Sequence, residues 1–476
     1  MKINNEKPFI HLFSTIFGKY FYDVNTNKII KISDNIYKCL ETNQIEDVAN
    51  LEINRYLITL KQKGYLKSKH VKISEHAINE YYESFLDHNL SQITIQVTQK
   101  CNLNCEYCVY SGNYYNRTHS DKIMSYDMAK KAIEYILLHS SNSEHLAISF
   151  YGGEPLLAFE LIKKCVEFAE NEFEGRVIRF NFTTNGTLLT EEKFDFLVRH
   201  DFSILISLDG PEEVHDKNRK FANSGKGSFK VMMKNVKRLK ELYPDFYNKN
   251  VAFNSVMDPS VSLSKICDFT ACNEIVKNSR FSSTVVNDIY AKNKTVFSVD
   301  FLEKYEYYKF LTFLWKLGRL AEQDIAPLMR QHFSSLRRTG KILEMYSQSE
   351  LPIKGHRGGP CIPGVRKLFV TTDGWLYPCE RVSETSRASR IGHIDTGVDI
   401  EKALALLNIE KVTSKDCRNC WAYSYCDMCV AQADDGEKIS RDKILSLCDS
   451  TRYRVEEQFK DYLVLKELGY DYELDV

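Results

Sequence analysis

Three cysteines that follow a predicted strand have a spacing that could hold an iron–sulfur cluster. Cys101, Cys105 and Cys108 form a CX3CX2C motif directly after the apolar run ITIQVT. Thiolates are the usual ligands of a [4Fe–4S] cluster, which has four iron corners. Three thiolates on one short loop can hold three irons and leave the fourth open to an exogenous ligand. A structural zinc site would need four ligands, and zinc or purely structural thiols stay as alternatives.

A second group of cysteines lies near the end of the chain. Of fourteen cysteines in all, seven fall in one segment: Cys361, Cys379, Cys417, Cys420, Cys426, Cys429 and Cys448. Disulfide frameworks are typical of small secreted domains, and residues 1–25 lack the basic and apolar regions of a signal peptide. The pattern therefore predicts metal or cluster ligation. Zinc bound with the help of His356 and His393 is an alternative.

Composition restricts the class of protein further. The 476 residues carry 64 basic and 64 acidic side chains, and 43% of the residues are hydrophobic. This is typical of a globular protein of several domains. The neutral balance predicts no nucleic-acid partner. The apolar runs are too short and too often charged for a membrane span, so we expect a cytoplasmic protein without a membrane partner.

Strands and helices alternate between residues 93 and 290. ITIQVT, LAISFYGG, VIRFNFTTNG, FSILISLDG and VAFNSVM read as strands, and 125–139, 158–173, 190–200 and 228–243 read as helices. Alternation of this kind indicates an α/β fold with a parallel sheet, open or closed into a barrel. Ligands in such folds bind at the carboxyl ends of the strands. The cysteine loop, Gly152–Pro155, Asn185-Gly186 and Asp209-Gly210 all lie at such ends.

The flanking segments have other patterns. Three short strands are predicted over 9–32, and helical periodicity follows over 34–66, where Val48 is one of the apolar positions and Gly64 suits a helix end. Together they predict a winged-helix-like unit. Residues 299–350 read as helical, 355–450 as a loop-rich segment with too few apolar residues for its own core, and 451–467 as a closing helix.

The sequence CNLNCEYC at a strand end resembles the signature of the radical S-adenosylmethionine (SAM) superfamily, over about residues 90–290. The resemblance implies a partial (β/α)6 TIM-like barrel. It also implies a [4Fe–4S] cluster that cleaves SAM to methionine and a 5′-deoxyadenosyl radical, which abstracts hydrogen from the substrate.

The same resemblance implies a set of SAM-binding residues. Tyr107 would pack near the adenine, and a GGEP motif would meet the SAM amino group, where a carboxylate suits an ammonium. Further contacts with SAM are expected from residues at the ends of later strands and from a positively charged residue that follows them. The set is Tyr107, Gly152, Gly153, Glu154, Pro155, Asn185, Ser207, Asp209 and Arg219. For Asn185 and Asp209 the alternative is simple turn formation. For Arg219, and for His215 and Asn218 near it, the alternative is the solvated start of a helix.

The C-terminal cysteines resemble the SPASM domain of radical SAM peptide-modifying enzymes. The resemblance implies two auxiliary [4Fe–4S] clusters, three clusters in all. It assigns Cys417, Cys420, Cys426 and Cys448 to the second auxiliary cluster, and Cys361, Cys379 and Cys429 to the first. The last gap is X2 where the family commonly has X3, and no cysteine closely precedes Cys361.

The first auxiliary cluster is therefore expected to have only three protein thiolates. Its open iron could bind a substrate cysteine, or a non-cysteine side chain or water could fill the position. Glu380, directly after Cys379, is a candidate general base. The alternative for Glu380 is a solvated loop carboxylate.

Residues 1–88 resemble a leader-peptide recognition domain, which binds a leader as an added strand at a sheet edge. The nearest resemblance is to thioether-forming maturases of the sactipeptide and ranthipeptide type. It implies a cysteine-rich precursor peptide as substrate, in which a cysteine sulfur is joined to a carbon atom in a thioether crosslink. It also implies an electron donor such as flavodoxin or ferredoxin.

The expected domains follow the same order. They are a recognition domain over 1–88, a radical SAM core over 89–300, a helical bridge over 301–354, a SPASM domain over 355–450 and a C-terminal helix over 451–476. The alternatives are an anaerobic sulfatase-maturing enzyme, a carbon–carbon crosslinking maturase, and a non-catalytic iron–sulfur redox or binding protein.

Overall fold

The three predicted N-terminal strands pair as an antiparallel sheet. In the computed structural model, which describes residues 7–43, 50–173, 175–345, 350–359 and 361–472, the strands are β1 (Ile10–Thr15), β2 (Gly18–Asp23) and β3 (Lys28–Ile32), in that order across the sheet. Ser33 caps the start of helix α1 (Asp34–Glu41), and Asn50 caps the start of α2 (Leu51–Gln62); both cap side chains accept backbone N–H groups. The predicted helical run is thus two helices, and Val48 lies outside the described residues.

Six parallel strands form the core of the fold, which confirms the partial (β/α)6 barrel. Before them come β4 (Ile73–Ser74) and α3 (Tyr82–His88). The barrel strands are β5 (Gln92–Thr98), β6 (His145–Gly152), β7 (Val177–Thr184), β8 (Ser203–Ser207), β9 (Val251–Met257) and β10 (Arg280–Val285), adjacent in that order. The helices are α4 (Tyr126–Leu138), α5 (Phe159–Glu172), α6 (Glu191–Arg199), α7 (Glu212–Asn218), α8 (Phe229–Leu242), α9 (Pro244–Asn250) and α10 (Leu263–Cys272).

The sixth strand, β10, was not predicted as a strand. Its sequence RFSSTV is largely polar, so it lacks the apolar run that marks a strand buried on both faces. Its parallel pairing with β9 completes the barrel sheet.

The C-terminal segment adds four strands to the same sheet. After α11 (Val299–Lys316), α12 (Gln331–Met345) and β11 (Lys354–Gly355) come β12 (Lys367–Val370), β13 (Trp375–Tyr377), β14 (Gly392–His393) and β15 (Gly397–Val398). Strand β12 pairs parallel with β5, and β13 to β15 continue antiparallel. Because β12 has only four residues and its partner lies far back in the chain, the sequence pattern does not predict this pairing.

Short helices surround the C-terminal cysteines. They are α13 (Ile400–Leu407), α14 (Ser414–Arg418), α15 (Val430–Ala433) and α16 (Arg441–Ser446), and the chain closes with α17 (Cys448–Glu467). The closing helix therefore begins at Cys448 and not at 451, which places the last predicted ligand in its first turn. Helix α11 likewise begins at Val299, so it crosses the predicted boundary between residues 300 and 301.

The N-terminal sheet packs against the C-terminal segment. Successive side chains of a strand point to opposite faces, and Tyr20 and Tyr22 face a core that contains Tyr425 and Phe459. Phe21 faces the other way, into a core with α1 and α2. Across the described residues, we find no helix whose length and apolarity would let it cross a membrane.

Candidate active site and cluster-binding sites

Two glycines hold the CX3CX2C loop against the end of β6. A Cβ atom on Gly152 would lie 1.9 Å from the Thr98 carbonyl oxygen, and one on Gly153 would lie 2.4 Å from that of Lys100 and 2.9 Å from Cβ of Cys101. The amide of Gly153 donates to Thr98 O at 3.1 Å. The glycines of the GGEP motif therefore permit a close approach between two chain segments, which fixes where the cysteine loop begins.

Glu154 is buried at the centre of this corner, with 1% of its surface exposed. Its carboxylate accepts hydrogen bonds from Thr184 Oγ1 at 2.8 Å, Asn185 N at 2.8 Å and Leu156 N at 3.1 Å. Burial nevertheless raises its pKa to about 7. A ligand ammonium would favour the ionised carboxylate, so the predicted role of Glu154 toward SAM is chemically consistent with this site.

Asn185 connects the strand ends to the cysteine loop. Its Nδ2 donates to Asn102 Oδ1 at 2.9 Å, and its Oδ1 accepts from Thr187 N at 3.0 Å. The same Nδ2 lies 4.0 Å from Sγ of Cys101. Asn185 is thus more than a turn residue, and its contact with SAM stays a prediction.

A buried ion pair faces the cysteine loop from β8 and α7. Arg219 Nε lies 2.8 Å from Asp209 Oδ2, and the Tyr107 hydroxyl donates to the same oxygen. Burial opposes the charge of Arg219, but Asp209 raises its pKa well above the ordinary value. Burial also raises the pKa of Cys105 to about 12, against the effect of Arg219. The structure therefore brings Tyr107, Asp209 and Arg219 together beside one predicted ligand.

The other predicted residues at this end occupy supporting positions. Ser207 is the last residue of β8 and is buried, as is Pro155, which opens a short 3-10 helix. His215 is fully buried, and burial lowers its pKa to about 3. Its Nδ1 accepts from the Asp209 amide at 3.4 Å. His215 is therefore a neutral support for Asp209 rather than a cation that meets a ligand.

The four cysteines assigned to the second auxiliary cluster line one cavity of about 210 Å³. They are Cys417, Cys420, Cys426 and Cys448. Burial raises the pKa of Cys417 to about 11, so ligation would release protons as the thiols become thiolates. Four thiols around one cavity match the donor set of a [4Fe–4S] cluster.

The three cysteines assigned to the first auxiliary cluster are less closely gathered. Cys379 and Cys429 are half-buried and near enough for their charges to interact. Cys361 is exposed. Gly359, two residues earlier, donates its amide to Cys426 O at 2.8 Å, which holds this segment beside the loop that carries Cys429. The remaining cysteines lie elsewhere: Cys39 on α1, Cys165 on α5, and Cys267 and Cys272 on α10.

None of the fourteen cysteines forms a disulfide. In the described part of the chain, no three His, Cys, Asp or Glu side chains converge tightly enough to hold a single metal ion. The thiols of the CX3CX2C loop are within electrostatic reach of one another.

Glu380 lies beside Lys367, whose Nζ is 2.8 Å from its Oε2. Burial would raise the pKa of Glu380, but Lys367 lowers it overall. A general base is most effective with a pKa near the working pH, so this ion pair does not favour that role. Glu380 as a base stays a prediction.

Sequence reasoning missed a buried polar network next to Glu380. Glu384 accepts from Tyr110 Oη at 2.7 Å and from Gln96 Nε2 at 2.9 Å, and Arg117 Nε lies 3.3 Å from its Oε1. Arg117 also donates to the Glu380 carbonyl oxygen at 2.6 Å. The network joins the cysteine loop to the segment after Cys379. Glu384 and Arg117 both lie in polar loop sequences that carry no recognisable motif.

Comparison with known proteins agrees with this geometry. Residues 95–269 match the Radical SAM superfamily. The chain contains a radical SAM domain. It is 27% identical over 228 residues to the radical SAM cyclopropyl synthase TigE of Paramaledivibacter caminithermalis, across 45% of this chain and 46% of that protein. It is 37% identical over 145 residues to the serine-type anaerobic sulfatase-maturating enzyme of Bacteroides thetaiotaomicron, across 30% and 34%.

Among solved structures, native anSMEcpe with bound AdoMet has a TM-score of 0.57 and 21% identity, across 78% of this chain and 99% of that one. At this identity the likeness shows the fold. The chain matches less than half the length of either curated relative.

Proposed function

We propose that this chain is a radical SAM enzyme that modifies a ribosomally made, cysteine-containing peptide by joining cysteine sulfur to carbon in a thioether. The observation that carries the proposal is the arrangement of the C-terminal thiols. Four line one cavity, while Cys379 and Cys429 lie close enough for their charges to interact and Cys361, the third assigned ligand, is exposed.

The three-thiol site supports a role in handling substrate sulfur. Each of the other cysteines outside the two cluster regions sits on a helix of another part of the fold. A cluster held by Cys361, Cys379 and Cys429 would therefore keep one iron for a thiolate from outside. The exposure of Cys361 leaves this side open to a peptide.

The barrel residues support SAM binding at the other site. The SAM-bound cluster of this superfamily supplies a radical that removes a hydrogen atom from the substrate. Here Glu154 offers a buried carboxylate for the SAM ammonium, and Tyr107 and Arg219 are held by Asp209 beside Cys105. Asn102 and Asn185 fix the start of the cysteine loop.

The N-terminal unit supports recognition of a leader peptide. Strand β3 pairs on one side with β2, and among the described strands nothing pairs with its other edge. An open edge of this kind accepts an extended peptide as an added strand. One face of this sheet packs against α17. Deletion of residues 1–88 would therefore expose Tyr425 and Phe459, and a loss of leader binding would not be distinguishable from misfolding.

Mass spectrometry of a co-expressed precursor peptide tests the proposal. The substrate would be the product of a short cysteine-rich reading frame beside this gene. For each crosslink, one S–H and one C–H bond break and one S–C bond forms. The peptide should therefore be lighter by two hydrogen atoms and should lose one alkylatable thiol. A precursor without its leader should be modified much less.

Formylglycine formation is a second candidate function. It is favoured by the similarity to sulfatase-maturating enzymes and by the shared fold of anSMEcpe. This reaction removes the sulfur when it acts on cysteine, so the same mass spectrum separates the two. Loss of sulfur, or a carbon–carbon link that leaves every thiol alkylatable, would contradict the thioether proposal.

A further inference from the structure

The cavity lined by Cys417, Cys420, Cys426 and Cys448 contains a buried guanidinium with unsatisfied hydrogen-bond donors. Arg357 lines the cavity with 3% of its surface exposed. Its Nη1 lies 3.7 Å from Sγ of Cys426. Its Nε and Nη2 have no hydrogen-bond partner among the described residues. A buried charged donor without a partner is costly, so this side chain requires an acceptor in the cavity.

Two carboxylates near Arg357 are bonded to groups other than its guanidinium. Glu410 is fully buried, but its Oε2 accepts the backbone amide of Arg357 at 2.9 Å and its Oε1 accepts the Tyr423 hydroxyl. Asp416, which also lines the cavity, pairs with Arg441 at 3.0 Å. Within the described parts of the chain, the guanidinium forms no ion pair. Glu410 therefore fixes the backbone of Arg357 while the cation points at the thiols.

We propose that Arg357 is a positioning residue for the second auxiliary cluster, which donates hydrogen bonds to the cluster's sulfur atoms and makes the cluster easier to reduce. The inference rests on the proposed assignment of this cluster to the four cysteines. A [4Fe–4S] core with four thiolates is an anion, and reduction adds one electron to it. Net charge, hydrogen bonds to sulfur and solvent exposure set the reduction potential of such clusters, and Arg357 contributes a positive charge and hydrogen-bond donors.

A second guanidinium at the cavity provides a matched control. Arg452 also lines the cavity and hydrogen-bonds the Cys420 thiol, but 37% of its side chain is exposed and it pairs with the exposed Asp449. Solvent and this partner screen its charge. Removal of the positive charge at Arg357 should therefore change the reduction potential of the cluster more than its removal at Arg452.

The test is an EPR-monitored redox titration of full-length, reconstituted protein. The variants are Arg357→Met, Arg357→Lys and Arg452→Met, and Cys420→Ala identifies the signal of this cluster. In Arg357→Met we expect the ratio of reduced to oxidised cluster at a fixed potential to fall about tenfold, a shift of 59 mV for one electron. Arg357→Lys should lie between this variant and the wild type, and Arg452→Met should shift less.

An unchanged potential in Arg357→Met, or an equal shift in Arg452→Met, would overturn the inference. If Arg357→Met binds no cluster, iron analysis of Arg357→Lys decides: a retained cluster supports the charge role, and its loss overturns it. Should Cys420→Ala leave both iron content and EPR signals unchanged, the cluster assignment itself fails, which is a result distinct from failure of the Arg357 role.

Discussion

At the scale of single residues, the site depends on charged groups that are buried and paired. Glu384 and Arg117 have 9% and 2% of their side chains exposed, and Asp209 and Arg219 are similarly buried. Removal of one partner from such a pair leaves an uncompensated charge in a medium that solvates it poorly. Single substitutions here therefore have predictable consequences for stability.

The pair formed by Glu384 and Arg117 gives the first prediction. Glu384→Gln should lower the free energy of unfolding of the cluster-free protein by about 3–5 kcal/mol, because the Arg117 guanidinium stays buried without its counter-charge. Urea denaturation measures the change. Asp373→Asn is the control, since its ion pair with Lys122 joins the same two segments but is half-exposed and should cost at most about 1 kcal/mol. Equal effects of the two substitutions would contradict the prediction.

His215 gives a prediction for pH. Burial lowers its pKa to about 3 from an ordinary 6.5. Between these values the unfolded chain binds a proton that the folded chain excludes, so stability is lost as the pH falls below 6.5. Protonation of His215 in the unfolded chain should lower the free energy of unfolding by about 2 kcal/mol between pH 6.5 and pH 5. Urea denaturation of His215→Asn should show a correspondingly smaller loss over this range, and an unchanged slope would be evidence against it.

At the scale of helices and strands, the close packing of strand ends positions the chemistry. The cysteine loop follows β5, Gly152 ends β6 and Gly153 follows it, and β12 lies on the other side of β5. The cysteine loop, the two glycines and the segment that leads to Cys379 are therefore carried by adjacent strands. Their spacing depends on the backbone more than on any side chain.

Gly152→Ala should disrupt this packing. The added Cβ would meet the Thr98 carbonyl oxygen at 1.9 Å, so the cysteine loop must shift, and reconstituted protein should lose about four irons. Iron analysis and SAM-binding assays measure the effect. Gly225→Ala is the control, because Gly225 also has a positive φ, +67°, but nothing lies within 4 Å of its Cβ position. It should retain the full iron content, at a strain cost of about 1–2 kcal/mol.

The sequence predicted those elements whose signals are local. Apolar runs and turn residues predicted five of the six barrel strands, and the spacing of Cys101, Cys105 and Cys108 predicted their loop. Glu384 and Arg117 could not be predicted, since their partnership depends on β12 pairing with a strand made some 270 residues earlier. The start of α17 at Cys448 was missed because the polar residues that precede its apolar positions carry no helix signal.

At the scale of the whole molecule, the predicted clusters are part of the packing. Five of the C-terminal cysteines pack against the core of the barrel or that of the N-terminal sheet: Cys379, Cys417, Cys420, Cys426 and Cys429. Segments rich in ligands gain folding free energy when the metal binds. Cluster content and global stability should therefore change together.

Reconstitution under anaerobic conditions should load about twelve irons per chain and raise the melting temperature. Replacement of Cys417, Cys420, Cys426 and Cys448 by Ala should remove about four of these irons. It should also make the segment between α13 and α17 sensitive to limited proteolysis. An iron content near four in the wild type would contradict the presence of auxiliary clusters.

The packing of the N-terminal sheet against α17 also has a consequence for biosynthesis. Tyr20 and Tyr22 leave the ribosome early, but Phe459, which covers them, is made more than 430 residues later. At translation rates of roughly 5–20 residues per second, this apolar face waits about 20–90 s for its partner. The N-terminal sheet is thus completed only after the segment that carries Phe459 has been made. A chaperone that shields β1–β3 during this interval should increase the yield of native protein.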